Sequence, residues 1–203
     1  VLDDENCVGV IISTRPDSVP DELLDCLTEI IVGKKKECHF ELGLQSSHDR
    51  SLELLNRNHT VNDFMDAVKR VKNRIVFKVG AHLIFGIPGE TTEDMLASIR
   101  YACNCGIDTV KFHHLQVLHH TRLFEMYENS EFTLFDKQTY MDFLLQAIPL
   151  IPSHVIIHRL WAHSHPDLLV APKWNVLPTV LSAELYERMK KMGIRQGCKT
   201  MKR

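Results

Sequence analysis

Six residues able to move protons, carry charge or hold a polar ligand recur where one surface could gather them: Ser13, Glu41, Gln45, His82, Lys111 and His113. Each lies in or at the end of a short run rich in β-branched and apolar residues. Side chains alternate along a strand, so parity sorts every run into two faces. Phe40, Leu42 and Leu44 share one face, and Glu41, Gly43 and Gln45 the other. Val79, Ala81, Leu83 and Phe85 oppose Gly80, His82, Ile84 and Gly86, and Val110 with Phe112 opposes Lys111 with His113. Ser13 and Arg15 stand opposite Ile12 and Thr14. Buried Glu, Lys and His are costly unless paired, so the polar set is either a salt-bridged core layer or a ligand pocket. Its clustering toward the carboxyl ends of the runs, where parallel sheets bind ligands, favours the pocket. His158-Arg159 can enter it from a further run, parity leaving open which of the two points inward; Lys111, His113, His158 and Arg159 are the candidate substrate-pocket residues.

The stretch from Val79 to Thr92 places an apolar run before a Gly, Pro and Gly cluster and then a helix start. Gly86 and Gly89 lack a Cβ, which lets the backbone turn sharply and approach a flat ligand such as a nucleobase. Thr91 with Asp94 three residues on forms a capping pair. The remaining histidines carry less signal. His163-Ser164-His165 has the spacing of a metal-binding strand, but Pro166 follows it. Cys103-x-Cys105 falls near a helix end, where residues two apart point in different directions, so no metal ligands are assigned.

Positioning these side chains requires strands separated by helices. Val8–Thr14, Cys38–Leu44, Val76–Phe85, Thr109–Val117 and Val155–Leu160 read as strands. A helix ending near Gly33, a short one over Ser47–Arg57, one capped by Thr60 and Asp63, then Thr92–Cys105, Thr121–Glu128, Asp136–Ile148 and Thr179–Met192 fill the intervals. The chain between the fifth strand and Pro178 reads as irregular, and the residues after Met192 as a loose basic tail. Strands recurring every roughly 30 to 45 residues with helices between them predict an α/β fold with a parallel sheet, a barrel or a doubly wound sheet. The 203 residues, 44% of them hydrophobic, suit one such core, and no apolar run reaches the roughly 18 residues of a membrane span. A formal net charge of −2 gives no general attraction to polyanions, and six cysteines without a disulfide-framework spacing suit a reducing cytoplasm.

Glu41-Leu42-Gly43-Leu44-Gln45-Ser46-Ser47, Asn56-Arg57-Asn58-His59-Thr60 and His82-Leu83-Ile84-Phe85-Gly86-Ile87-Pro88-Gly89-Glu90-Thr91, taken in order, resemble the radical S-adenosylmethionine (SAM) enzymes. Lys111-Phe112-His113-His114-Leu115, Thr121-Arg122-Leu123, Ile157-His158-Arg159-Leu160 and Asp167-Leu168-Leu169-Val170-Ala171-Pro172 are similar to the YhcC-like Fe-S oxidoreductase subfamily, related to elongator-type and coproporphyrinogen-dehydrogenase-type members. The resemblance implies a partial, six-stranded (βα) TIM-type barrel in which a [4Fe-4S] cluster donates an electron to SAM, giving a 5′-deoxyadenosyl radical that abstracts hydrogen from substrate. It also implies a three-cysteine loop and a Gly-Gly-Glu-type turn that these residues lack. The chain is therefore expected to be the carboxyl-terminal part of a longer protein, its first strand matching the family's third. Residues 1–160 are expected to be barrel and 161–203 an extension with one helix. The fragment alone is expected to be inactive and to self-associate through the uncovered edge of its first strand.

By the same resemblance Gln45 reaches SAM, Ile84 and Gly86 lie at the adenine, and Leu115 to Val117 lie beside it on the last barrel strand. Ser13 stands where relatives carry an acidic residue, and His82 replaces the first glycine of the Gly-x-Ile-x-Gly motif. Glu41 is expected beside the cationic sulfonium, where opposite charge is favourable. An electron donor and an unknown substrate, a small molecule or tRNA, are the implied partners. Two alternatives remain open: a barrel metallohydrolase using His113, His114, His163 and His165, and a non-catalytic RNA-binding module.

Overall fold

A computed structural model describes residues 1–200; the last three residues of the expected basic tail lie outside the described residues. Five strands, β1 (Gly9–Thr14), β2 (Glu37–Gln45), β3 (Phe77–Phe85), β4 (Thr109–His114) and β6 (Ile156–Arg159), form one parallel sheet in the order β1-β2-β3-β4-β6. Helices α1 (Asp21–Lys34), α3 (Val61–Lys72), α4 (Thr92–Asn104) and α6 (Lys137–Ala147) occupy the crossovers, as parallel neighbours require. A short α2 (Asp49–Leu54) precedes α3, and α5 (Arg122–Glu128) precedes α6.

Helix starts follow the capping chemistry of the sequence. Thr60 and Asp63 form a full capping box at α3, Thr91 and Asp94 another at α4, and the Asp136 side chain accepts from the Thr139 N–H at α6. Each such cap is worth about 1 kcal/mol. The outward-parity residues meet these helices: Phe40, Leu42, Leu44, Val79, Leu83, Phe85 and Phe112 are fully buried in one core with Phe64, Val68, Ile99 and Leu144. The opposite face of the same strands lacks a helical cover, and Ile11 and Ile156 on it are more than half exposed. A parallel sheet covered on one side and open on the other, with its strands in sequence order, is a partial (βα) barrel.

Three expectations need correction. The fourth strand does not run to Val117. It ends at His114, the Leu115 N–H still bonds to the Phe85 carbonyl (2.8 Å), and Val117 turns away into a two-residue strand, β5 (Val117–Leu118). The segment before Pro178 is not wholly irregular, because β7 (Leu169–Ala171) pairs antiparallel with β5. The tail beyond the last helix, α7 (Pro178–Lys191), is anchored through Thr200. The Gln196 amide donates to the Pro152 and Val155 carbonyls, and the Lys199 N–H to that of Pro149.

Candidate functional site

The uncovered face collects the polar residues that parity assigned to it. Register places Ser13 beside Glu41, and Gly43, His82 and Lys111 abreast on β2, β3 and β4. Glu41, 3% exposed, is the hub. Its carboxylate accepts from the Ser13 hydroxyl (3.0 Å) and bonds His82 Nε2 (3.0 Å), and Lys111 Nζ lies 2.5 and 2.7 Å from its two oxygens. Burial disfavours its charge, but the hydrogen bonds from Lys111, His82 and Ser13 outweigh burial and bring its pKa down to about 2. Glu41 is thus ionised with its charge already matched by Lys111.

The His82 and His113 imidazoles beside this pair are kept neutral. His82 and His113 stack with ring centroids 5.2 Å apart. Burial lowers both, His113 to about 4, and the charges of Lys111 and Arg159 act in the same direction, while Glu41 acts against them. His113 Nε2 is buried without a partner. His39 on β2 bonds Thr109 Oγ1 (3.0 Å) and packs edge-on to His158 (5.6 Å).

The structure answers the question parity left open at His158-Arg159. The register of β6 slips by one residue: Val110 pairs with Ile157, but Lys111 pairs with Arg159. A bulge adds a residue to one strand without adding one to its partner, so two successive side chains can serve one face. His158 Nδ1 stands 3.8 Å from Glu41, and the charge of Arg159 acts on His82 and His113. A cavity of about 670 Å³ opens toward the amino ends of the strands, with Ile11, His39, Lys78, Ile156 and His158 in its walls.

A second polar group lies at the carboxyl end of β2, where the register shifts between Gly43 and Gln45 before the last pair, Gln45 with Leu83. Gln45 adopts φ 67°, a left-handed conformation uncommon outside glycine. Its amide lies across Gly43, where an added Cβ would stand 2.5 Å from Gln45 Nε2 and 2.9 Å from Arg57 Nη2. Arg57 Nε and both ring nitrogens of His59 are buried without hydrogen-bond partners. Neither residue was reached by strand parity, since both lie in the turn between α2 and α3; the polar Asn56–Thr60 stretch was their available signal.

The other expected residues are placed as follows. Ile84 is half-buried on the open face beside His113. Gly86 has φ +91°, and the space left by its missing Cβ is filled by the Phe135 ring, 3.0 Å from that position. Leu115 lies against the same site, 3.8 Å from it, whereas Val117 is buried on β5, paired with Ala171. The four histidines of the metallohydrolase alternative do not meet. His113 and His114 point to opposite faces of β4, and His163 and His165 are exposed. His114 belongs to an aromatic box, stacked on Trp174 (4.1 Å) and edge-on to Tyr140 (5.3 Å), with Nδ1 accepting from the Ala162 N–H (3.3 Å).

Two family models, described as the radical SAM superfamily and the radical SAM C-terminal domain, match residues 3–102 and 107–191. The chain belongs to the radical SAM superfamily. It is 33% identical over 193 residues to the uncharacterized protein MJ0486 of Methanocaldococcus jannaschii, covering 95% of this chain and 59% of that protein. It is 32% identical over 169 residues to protein YhcC of Escherichia coli, covering 83% and 54%. To a tRNA uridine(34) acetyltransferase of Methanocaldococcus infernus it is 27% identical over 195 residues, covering 95% and 35%. Among solved structures, the M. infernus Elp3 with an N-terminal deletion superposes with a TM-score of 0.76 at 27% identity, covering 94% of this chain and 43% of that one. The chain thus spans little more than half the length of MJ0486 and YhcC.

The superfamily uses SAM and a [4Fe-4S] cluster, and the two groups fare differently against this radical SAM chain. The strand-end group fits a polar ligand: the Gln45 amide and the Arg57 guanidinium close together over Gly43, and Arg57 Nε and the His59 ring nitrogens are buried without partners. The residues do not fit a cluster. Cys7, Cys26, Cys38, Cys103, Cys105 and Cys198 are dispersed, and among the described residues no three Cys, His, Asp or Glu are grouped to hold a metal ion. Burial pushes the Cys38 and Cys103 thiols up to about 11 and 12, the opposite of thiolate ligands.

Proposed function

We propose that this chain is the SAM- and substrate-facing part of a radical SAM oxidoreductase whose cluster-binding thiolates lie outside these residues. The observation that carries this reading is the Gln45 amide lying over Gly43 beside the unpartnered Arg57 Nε, at the carboxyl end of the uncovered strands. SAM held by Gln45 and Arg57 would, given an electron from a cluster carried outside these residues, supply a carbon radical able to take a hydrogen atom from substrate.

This chain's own residues bind and orient. Gln45 and Arg57 donate to the methionine end of SAM, whose carboxylate suits a guanidinium. Ile84 and Leu115 offer apolar contact to the adenine next to Gly86. Glu41 fixes Lys111 and His82 instead of standing free for the sulfonium, and Ser13 completes its shell. Lys111, His113, His158 and Arg159 form the substrate floor. Kinship with a tRNA uridine(34) acetyltransferase supports tRNA as substrate. The free cysteines suit a reducing cytoplasm, where an electron donor is available, and no helix among the described residues is long and apolar enough to cross a membrane. The uncovered edge of β1 favours pairing with a second strand, from a second copy or another segment of the protein.

The test is anaerobic reconstitution of the full-length protein with iron and sulfide, followed by measurement of SAM binding and 5′-deoxyadenosine. Formation of 5′-deoxyadenosine with dithionite, and SAM affinity about tenfold weaker in Gln45→Ala, are expected from loss of a hydrogen-bonding side chain. A protein with a full cluster complement that neither binds nor cleaves SAM overturns the proposal.

A further inference from the structure

Around Glu41, toward the carboxyl ends of the strands, the charges on the uncovered face do not balance. Glu41 is its one buried carboxylate, and Lys111 neutralises it at 2.5 Å. Arg159, presented on the same face by the bulge, has no acidic partner among the described residues and is exposed. Burial holds the His82 and His113 imidazoles below their ordinary range, and the Arg159 guanidinium is left without a countercharge at the floor. Beside it, His113 Nε2 is buried without a hydrogen-bond partner although the ring is held in place by stacking on His82. The buried nitrogen is costly to leave without a partner, and the exposed guanidinium beside it is open to a ligand that could serve both.

We propose that Arg159, flanked by His113 and Lys111, anchors an anionic oxygen group of the substrate, a carboxylate or a phosphate. This rests on the reading of the face as a substrate floor. Guanidinium binds either group through two parallel hydrogen bonds, and a neutral imidazole N–H supplies a third donor. Lys111, already paired, contributes donors and field without a free charge. Arg159 is then a specificity residue: it selects acidic substrates and fixes their orientation.

The experiment is equilibrium titration of the full-length protein, without added SAM, against malonate, inorganic phosphate, neutral malonamide and a short single-stranded oligoribonucleotide. Histidine ring NMR shifts and calorimetry are the readouts. At low salt, malonate or phosphate is expected to bind and to shift His82 and His113 resonances, with malonamide silent. Arg159→Gln is expected to weaken the anion about tenfold, the loss of one charge-assisted contact. Arg159→Lys should retain part of the affinity, and Arg195→Gln, on the exposed tail, all of it. Preference for malonate identifies a carboxylate; preference for phosphate, with oligoribonucleotide binding that shares the Arg159 dependence, identifies a nucleotide phosphate. Equal affinity in Arg159→Gln, equal binding of malonamide, or anion binding that leaves the histidine signals unmoved overturns the inference. Because the readout needs neither cluster nor SAM cleavage, failure of the radical SAM reading would show in the reconstitution experiment and not in this one.

Discussion

His113 and His114 are neighbours in sequence, sit on the same strand and are both driven to a pKa of about 4, yet they belong to different parts of the molecule. His113 faces the open side with a stacked ring, like charges nearby and an unused Nε2. His114 faces the helices, stacked on Trp174 and edge-on to Tyr140, with Nδ1 used by the Ala162 N–H. Burial is the main cause in both, but only His113 has cations among the others. The comparison teaches that a depressed imidazole is not by itself a sign of chemistry. What distinguishes the two is whether the ring's hydrogen-bonding capacity is already spent.

The two faces of β4 should therefore respond differently to truncation. On the helix side, Phe112→Ala removes a fully buried ring and should cost about 3–5 kcal/mol in denaturant unfolding, with no specific effect on ligands beyond it. On the open side, Glu41→Gln leaves the Lys111 ammonium unpaired and should cost about 3 kcal/mol, part of which returns in Glu41→Gln with Lys111→Met. Full stability in Glu41→Gln would mean that the pair is solvated and the hub does not exist.

Acid should then separate the imidazoles from the carboxylate. His114 binds its proton near 6.5 when unfolded and near 4 when folded, so its contribution is complete above pH 6.5 and is lost as pH falls toward 4. The loss amounts to about 3 kcal/mol. His113, brought to the same value, contributes with the same sign in the same window. Glu41 has the same sign in a lower window: its stabilisation is present above its ordinary 4.5 and is lost only as pH falls through about 2. Stability measured between pH 7 and 4.5 should fall in the wild type and fall less in His114→Phe; equal slopes would remove His114 from this account. The smallest effect is expected from His113→Ala, under about 1 kcal/mol in stability, since the ring makes no hydrogen bond that truncation would strand. A large loss there would move His113 from the ligand side to the structural side.

Much of the fold was legible because parallel strands buried on one face must alternate. Phe40, Leu42 and Leu44 against Glu41 and Gly43 could be sorted with no structure in hand, and so could the polar hub. The capping boxes at Thr60 and Thr91 were legible because three-residue spacing is a local property. What escaped depended on distant partners. The end of β4 at His114 was hidden inside a continuous β-like run, and Val117 leaves the barrel because β7, a three-residue strand near Pro172, lies ready to pair with it. The anchoring of Gln196 and Lys199 rests on carbonyls more than 40 residues away. Arg57, His59 and Phe135 lie in turns, where no periodicity marks direction.

The one-residue slip in β6 also makes the charge of the barrel floor a matter of strand length. Deleting a single residue from Ile156–Arg159 would restore strict alternation and turn either the imidazole or the guanidinium out of the interior, with no change of side-chain chemistry anywhere. Among relatives of this chain, a gap of one position there would accordingly be equivalent to a charge substitution, and two proteins with matching letters on either side of it could prefer differently charged substrates.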